Sequence, residues 1–473
     1  MKQYLFILTI SVLALTLRLS NIQGVGLIFW DEANYLNEAK YLRGTGGQPL
    51  SLAKPTYSAL VAVSQKLFGE TDYAGQLVSA FMGAVTIPVI FFLTKQLFSR
   101  KIAILASLLF ALIPLHIIFS RLTLSDTTAL FFLTLAILLS NLFKSPKMSL
   151  LSGFIAGLAY TSNLKLIFMP FLFIFLFRNN LKTLVIWLIS FIATLFLWEI
   201  PHLISHSFPS YFFQLLTLAN DGATIGLTDL SFYPYVIITY LSWPIIILAT
   251  ASLFFKRSKN TVFLLFWILL FTIPLFFNIQ KAPRLISFLP IPVSILAALA
   301  LNYVLEKKIF KEIFLKVIII LLIISPATIS ILKNINLHSG QKNLNLSFTQ
   351  PKSQKIITTQ LPVTKFYLPN FDIVEFPNND LNSLRKLFDN GYHYLVVDNQ
   401  AYASFKDTEL LRRIESDLEP IKTFDDNAKA NAQFFLEHAQ VRKATLIQML
   451  TLQEELNQKR GKYLKIYNLG DFF

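Results

Sequence analysis

GQLVSAFMGAVTIPVIFFLTKQLF, residues 75–98, carries a single charge, Lys95, near one end. A helix of about 20 apolar residues spans the hydrocarbon core of a bilayer, because every backbone polar group is then satisfied within the segment. Comparable runs lie near 4–21, 102–119, 127–143, 149–163, 165–177, 183–200, 233–254, 261–278, 284–304 and 313–332. The reading is a polytopic all-α membrane protein of about eleven transmembrane helices. Composition agrees. Hydrophobic residues make up 54% of the 473 and charged residues 15%, against about 25% charged in a soluble domain. There is no cysteine, which excludes disulfides, thiolate metal sites and cysteine nucleophiles.

The net charge of +15 could suggest nucleic acid, but its distribution argues otherwise. Residues 1–332 hold 24 Lys+Arg against 11 Asp+Glu, whereas 333–473 hold 18 against 16. The excess therefore lies in the hydrophobic part, where it reports topology. With the N-terminus inside, the whole excess of 1–332 falls on cytoplasmic connections and the outside segments balance. This requires 149–163 and 165–177 to be two spans. A single span would put Lys144 and Lys147 on one face and Arg178 and Lys182 on the other. Gly153, Gly157, Ser162 and Asn163 suit close packing and a turn there. Met1-Lys2 and the apolar run after it resemble a signal peptide, but Arg18 interrupts and no small-residue cleavage site follows, so an uncleaved first helix is expected.

Two outside segments are long, 22–74 and 201–232. Within the first, Tyr35, Ala39 and Leu42 share a helical face, as do Tyr57, Leu60, Val61, Ser64, Leu67 and Phe68, and Gly69 can end the second helix. Both read as interfacial helices. From 333 the pattern changes to a small extracytoplasmic α/β domain. Strands are expected at Ile356-Ile357, Phe366–Leu368, Asp372–Phe376, Tyr394–Val397 and Tyr463–Asn468. Helices are expected at Leu381–Asp389, Asp407–Leu418 and Ala428–Leu456. The domains are thus 1–332 and 333–473.

Acids are scarce in the membrane part, so their positions inform. Asp31 and Glu32 follow the first span, and Asp126 lies in the short outer connection after Ser120–Ser125. Lys54, Arg121, Lys165, Lys281 and Arg284 are outside cations. A carboxylate can take a proton from an incoming hydroxyl. Cations, or a divalent metal on Asp31, Glu32 and Asp126, can stabilise a phosphate leaving group. Each residue also has a plain structural role available. Asp31 and Asp126 could cap helices, Glu32 could be a solvated first-turn acid, Lys281 and Arg284 could snorkel, and Arg18 and Glu199 could be interfacial. A lone His116 at a span end reads as a packed, hydrogen-bonded residue.

The order of these features resembles the GT-C membrane glycosyltransferases, in particular the protein O-mannosyltransferase and aminoarabinose transferase branch. Phe29-Trp30-Asp31-Glu32-Ala33-Asn34-Tyr35 is similar to its first-loop acidic motif, and Lys54-Pro55-Thr56-Tyr57 to its Lys-Pro motif, with Thr56 where a second proline often stands. Pro114-Leu115-His116 with Ser120–Asp126, Gly157–Thr161 up to Lys165, and Gln280-Lys281-Ala282-Pro283-Arg284 through Pro290 resemble later motifs. The resemblance covers about 1–305. It implies inverting transfer of a monosaccharide from a polyprenyl-phosphate donor to a protein, lipid or glycan acceptor outside the plasma membrane. It further implies Asp31 as catalytic base with Glu32 beside it and Asp126 as second acid. Lys54 and Arg284 are then the donor-phosphate ligands, with Arg121 and Lys281 as further candidates. The competing readings are a transporter or flippase of lipid-linked or anionic solutes, and a non-catalytic scaffold for the C-terminal domain. Charges at span ends and the absence of an internal repeat speak against transport.

Overall fold

The structure is a computed structural model. It describes residues 2–47, 54–142, 145–204, 210–222, 229–255, 258–278, 281–306, 321, 324–326, 328–329, 331–350, 354–428, 431–438 and 444–473. The expected span 313–332 falls largely outside these residues, as do Lys144 of the charge argument and Gln280 of the late motif.

The chain forms two compact units. The first comprises 1–20, 35–279 and 283–335 and is helical throughout. Its principal helices are α1 (Lys2–Leu19), α2 (Trp30–Arg43, beginning in the other unit), α3 (Pro55–Phe68), α4 (Ala74–Leu97), α5 (Arg100–Ala111), α6 (Pro114–Phe119) and α7 (Asp126–Leu142). They continue with α8 (Pro146–Ser162), α9 (Met169–Phe177), α10 (Leu181–Leu197), α11 (Phe232–Tyr240), α12 (Trp243–Ala251), α13 (Lys259–Phe277) and α14 (Pro290–Glu306). Among the described residues three helical stretches are long and apolar enough to cross a membrane: Tyr4–Val25, Ala74–Leu97 and Lys259–Phe277. A fourth is the pair Phe232–Tyr240 and Trp243–Phe254, bent by 101°.

Local chemistry sets the helix ends. Ser99, Ser145, Asn180 and Ser258 each accept the backbone N–H three residues on, as N-caps do. Gly69 ends α3 at φ +86°, the left-handed region open to glycine. The expected single span at 102–119 is two helices, α5 and α6. Pro114 starts a new helix because it has no N–H to continue the old one. The expected break after Ser162 is present. Asn163 is extended, and its side chain accepts the Lys165 N–H at 3.1 Å.

Small residues set the closest packing. A Cβ on Gly153 would stand 2.3 Å from the Trp187 carbonyl, and one on Gly157 would stand 2.4 Å from Thr194 Cβ. This Gly-x-x-x-Gly face of α8 lets α10 approach closely. Arg18 is fully buried rather than interfacial, and its Nη1 donates to the Ala14 carbonyl at 2.9 Å.

The second unit comprises 336–473 with two short segments from earlier in the chain, 21–34 and 280–282. It is built on a five-stranded sheet of order β2-β1-β3-β5-β4. β1 (Lys355–Thr358) pairs in parallel with β2 (Asp372–Glu375) and β3 (Tyr392–Val397). β5 (Tyr463–Asn468) is antiparallel to β3 and to β4 (Lys422–Asp425). Ile356, Val396, Leu464 and Ile466 form its buried core with Leu344 and Phe348. Phe366–Leu368 is not a strand. Phe366 and Tyr367 end helix α15 (Leu361–Tyr367), which Pro362 starts in its first turn. The helix expected over 428–456 is two described pieces, Ala432–Leu436 and Leu446–Lys459, the second begun by a capping box at Thr445 and Gln448.

Candidate active site

Asp126 is the first residue of α7 and is only 3% exposed. A buried carboxylate needs partners, and its Oδ1 has three. Lys165 Nζ donates to it at 2.8 Å, Ser287 Oγ at 3.0 Å and Asn163 Nδ2 at 3.2 Å. Asn163 Nδ2 also donates to Ser125 Oγ at 3.3 Å. The extended break at Asn163 thus performs two tasks: it stops α8 and aims Asn163 and Lys165 at the start of α7.

A second set of groups reaches this point from the outer loop. Lys54 precedes Pro55 at the start of α3, and its Nζ donates to Tyr35 Oη at 2.6 Å while lying 5.3 Å from the centre of that ring. Tyr35 Oη lies 3.4 Å from Ser125 Oγ. The Tyr35 ring packs edge-on against Tyr57 at 4.8 Å, and Thr56 and Thr161 join α3 to α8 through hydroxyls 2.6 Å apart. The charges of Lys165, Arg284 and Lys54 all act on Asp126. One buried carboxylate therefore faces three cations drawn from three separate parts of the sequence.

The other sequence candidates have partners of their own. Glu32 is fully buried, not solvated. Its Oε2 accepts the N–H of Ile28 at 2.6 Å and of Phe29 at 2.9 Å, which fastens the turn that starts α2. The segment 21–34 that holds Asp31 and Glu32 is anchored within the second unit. Leu27 N–H donates to Tyr367 Oη at 2.9 Å, Ser339 N–H to the Val25 carbonyl at 2.9 Å, and Phe29 packs edge-on against Phe434. Lys281, buried, belongs to the segment 280–282 of that unit. Arg121, 1% exposed, donates to the carbonyls of Leu17 at 2.9 Å, Arg18 at 3.0 Å and Ile335 at 3.3 Å, so it caps the C-terminal end of α1. His116 is buried, with Nε2 3.3 Å from the Gly83 carbonyl.

Tyr35, Ser125, Asn163, Lys165 and Ser287 are site residues that motif reading did not single out. Lys165 had a signal, as an outside cation closing a motif. Ser287, one 3₁₀ turn beyond Arg284, had none. Among the described residues no group of three His, Asp or Glu side chains that could hold a metal is found.

This architecture is the GT-C fold of membrane glycosyltransferases. Residues 49–204 match the family model of dolichyl-phosphate-mannose-protein mannosyltransferases. Among solved structures, the chain is similar to ArnT from Cupriavidus metallidurans bound to undecaprenyl phosphate, with TM-score 0.61 at 14% identity over 84% of this chain and 93% of that one. It is also similar to the oligosaccharyltransferase AglB from Archaeoglobus fulgidus. The apo form gives TM-score 0.58 at 12% identity, covering 89% of this chain and 73% of that one. The complex with an inhibitory peptide and a dolichol-phosphate gives 0.53. No curated relative matches the sequence. The matched family and both matched structures are glycosyltransferases, in keeping with the resemblance drawn from the motifs.

Proposed function

We propose that the chain is an inverting glycosyltransferase that takes a monosaccharide from a polyprenyl-phosphate carrier and places it on a hydroxyl-bearing acceptor outside the membrane. The observation that carries this reading is the gathering of three cations around Asp126. The charges of Lys54, Lys165 and Arg284 all act there, and cations gathered at one point favour a phosphate. A cavity of about 180 Å³ supports it. Lys165 and Asn278 lie at this cavity, and Phe168, Phe271, Leu275 and Phe288 line the rest. A cation beside an apolar trough suits an isoprenoid phosphate.

In this reading Asp31 accepts the acceptor's hydroxyl proton. It lies one turn before Tyr35 on the same face of α2. The freed oxygen attacks the anomeric carbon from the side opposite the phosphate. The bond from that carbon to the phosphate oxygen breaks, and its electrons stay with the lipid phosphate, held by Arg284 and Lys54. Attack from the opposite side inverts the anomeric centre. Asp126 organises the cations, and no step requires a metal. The topology that goes with this has eleven spans, a cytoplasmic N-terminus and an outer C-terminal domain.

The test is turnover by purified protein in nanodiscs with a polyprenyl-phosphate hexose and a mixed acceptor extract, reading release of lipid phosphate. Release that disappears in Asp31→Asn and falls steeply in Arg284→Gln is expected. Wild-type release by Asp31→Asn, or counterflow of intact lipid-linked sugar without release, would overturn the proposal.

A further inference from the structure

The second unit contains a polar pocket of about 280 Å³ that has no part in the chemistry above. Its floor is Arg460, at the end of the helix Leu446–Lys459. The guanidinium is buried, and Nε donates to both oxygens of Glu415, at 2.8 and 2.9 Å. Tyr467 Oη donates to Glu415 at 2.9 Å, as does Tyr402 Oη. Nη2 donates to the Val397 carbonyl at 3.0 Å and Nη1 to the Tyr463 carbonyl at 2.9 Å. Every oxygen and nitrogen at the floor is thus committed, and the floor is rigid. At the rim, Glu455 is shared between Lys459 at 3.0 Å and Arg412 at 3.8 Å.

Lys465, on β5, also lines the pocket. It is half-buried, and among the described residues its ammonium makes no hydrogen bond and joins no ion pair. Burial first, and then the nearby Arg460 charge, hold it below the usual lysine range. Arg412, Lys459, Arg460 and Lys465 line the pocket with Glu415 and Glu455, and Glu419 also acts on Lys465, which leaves one positive charge in excess. Glu415 and Glu419 attract this ammonium without an ion-pair contact, and a half-buried ammonium gains from a ligand that supplies a closer anion.

We propose that this pocket is a binding site for a small phosphate-bearing ligand, with Lys465 as the main contact and Lys459 and Arg412 closing over it. The volume, near the low end for small-molecule sites, suits an alcohol phosphate of sugar or glycerol size. The site stands independently of the transferase reading.

The experiment is equilibrium dialysis of radiolabelled inorganic phosphate against full-length protein in detergent. The protein carries Lys54→Gln and Arg284→Gln to silence the other cationic site. Saturable binding with Kd below about 1 mM is expected. Adding Lys465→Gln should weaken it about tenfold or more, and Glu455→Gln should tighten it several-fold by freeing Lys459 and Arg412. Glu455 is an exposed rim residue, so its variant reads the site even where Lys465→Gln perturbs folding. Three results would overturn the proposal: no saturable binding, binding indifferent to Lys465→Gln, or binding weakened by Glu455→Gln. Displacement by glycerol phosphate is expected. Displacement by a hexuronate at lower concentration would overturn the assignment to phosphate.

Discussion

Replacing Lys165 by methionine removes the shortest contact to Asp126 while keeping most of the side-chain volume. The pair is 2.8 Å apart, with the carboxylate 3% and the lysine 23% exposed, so water screens it little. Removing one partner of such a buried pair typically costs about 3–5 kcal/mol, most of it the penalty of an uncompensated charge. Here the penalty is partly relieved. Ser287 and Asn163 still donate to Oδ1, and the Arg284 and Lys54 charges still act on it. The expected cost to folding is therefore at the lower end, about 3 kcal/mol, and a loss of kcat/KM of roughly 100-fold, about 3 kcal/mol at 1.36 kcal/mol per decade, is expected if the same pair orders the site for turnover. Asp126→Asn keeps an acceptor oxygen for all three donors but leaves the cations without their anion, and a similar loss is expected. If Lys165 acts mainly through Asp126, the double variant is scarcely worse than either single one, giving a coupling of about 2–3 kcal/mol in the cycle. The assay is release of polyprenyl phosphate over a range of donor concentrations, with thermal midpoints in the same detergent to separate turnover from folding. Costs that add to within about 0.5 kcal/mol, or a Lys165→Met enzyme at wild-type rate, would refute the view that these two residues work as a pair.

Gly153→Ala pushes a methyl to 2.3 Å from the Trp187 carbonyl, so α8 and α10 must separate. A loss of about 1–3 kcal/mol is expected, read as a lowered thermal midpoint. Tyr367→Phe removes the acceptor of the buried Leu27 N–H. A cost of about 1–3 kcal/mol, measured by thermal unfolding and accompanied by slower transfer, is expected because Leu27 lies four residues before Asp31. Glu70 is held below the usual carboxylate range by the Thr45 hydroxyl, with Lys40 and Arg43 adding to it. Its lowered folded value means a contribution present above the unfolded carboxylate pKa and lost as pH falls through the folded one. Glu70→Gln should therefore lower stability slightly at pH 7, by less than about 1 kcal/mol for so exposed a group, and by less as the pH falls through the folded value.

Membrane architecture is legible in a single sequence because hydrocarbon imposes its condition segment by segment. A run such as 75–98 satisfies that condition alone, without reference to the rest of the chain. The interruptions at Asn163 and Pro114 are local too, although 102–119 concealed its break because Pro114 begins a helix as readily as it ends one. The C-terminal domain is less legible for the same reason inverted. β4 shows no buried residue over Lys422–Asp425, so no alternation marked it, and only its pairing with β5 makes it a strand. Tyr367, read as part of a strand, instead closes a helix whose tyrosine reaches residue 27, a contact 340 positions away that no periodicity encodes. The site divides along the same line. Asp126, Lys54 and Arg284 stood out because charges are rare in apolar sequence, whereas Ser287 and Asn163 are ordinary polar residues until the fold brings them to one carboxylate oxygen from 161 and 37 positions away. Sequence exposes the expensive members of a buried polar cluster, since each must be explained wherever it stands. The inexpensive members, which make the cluster affordable, become visible only when their partners do.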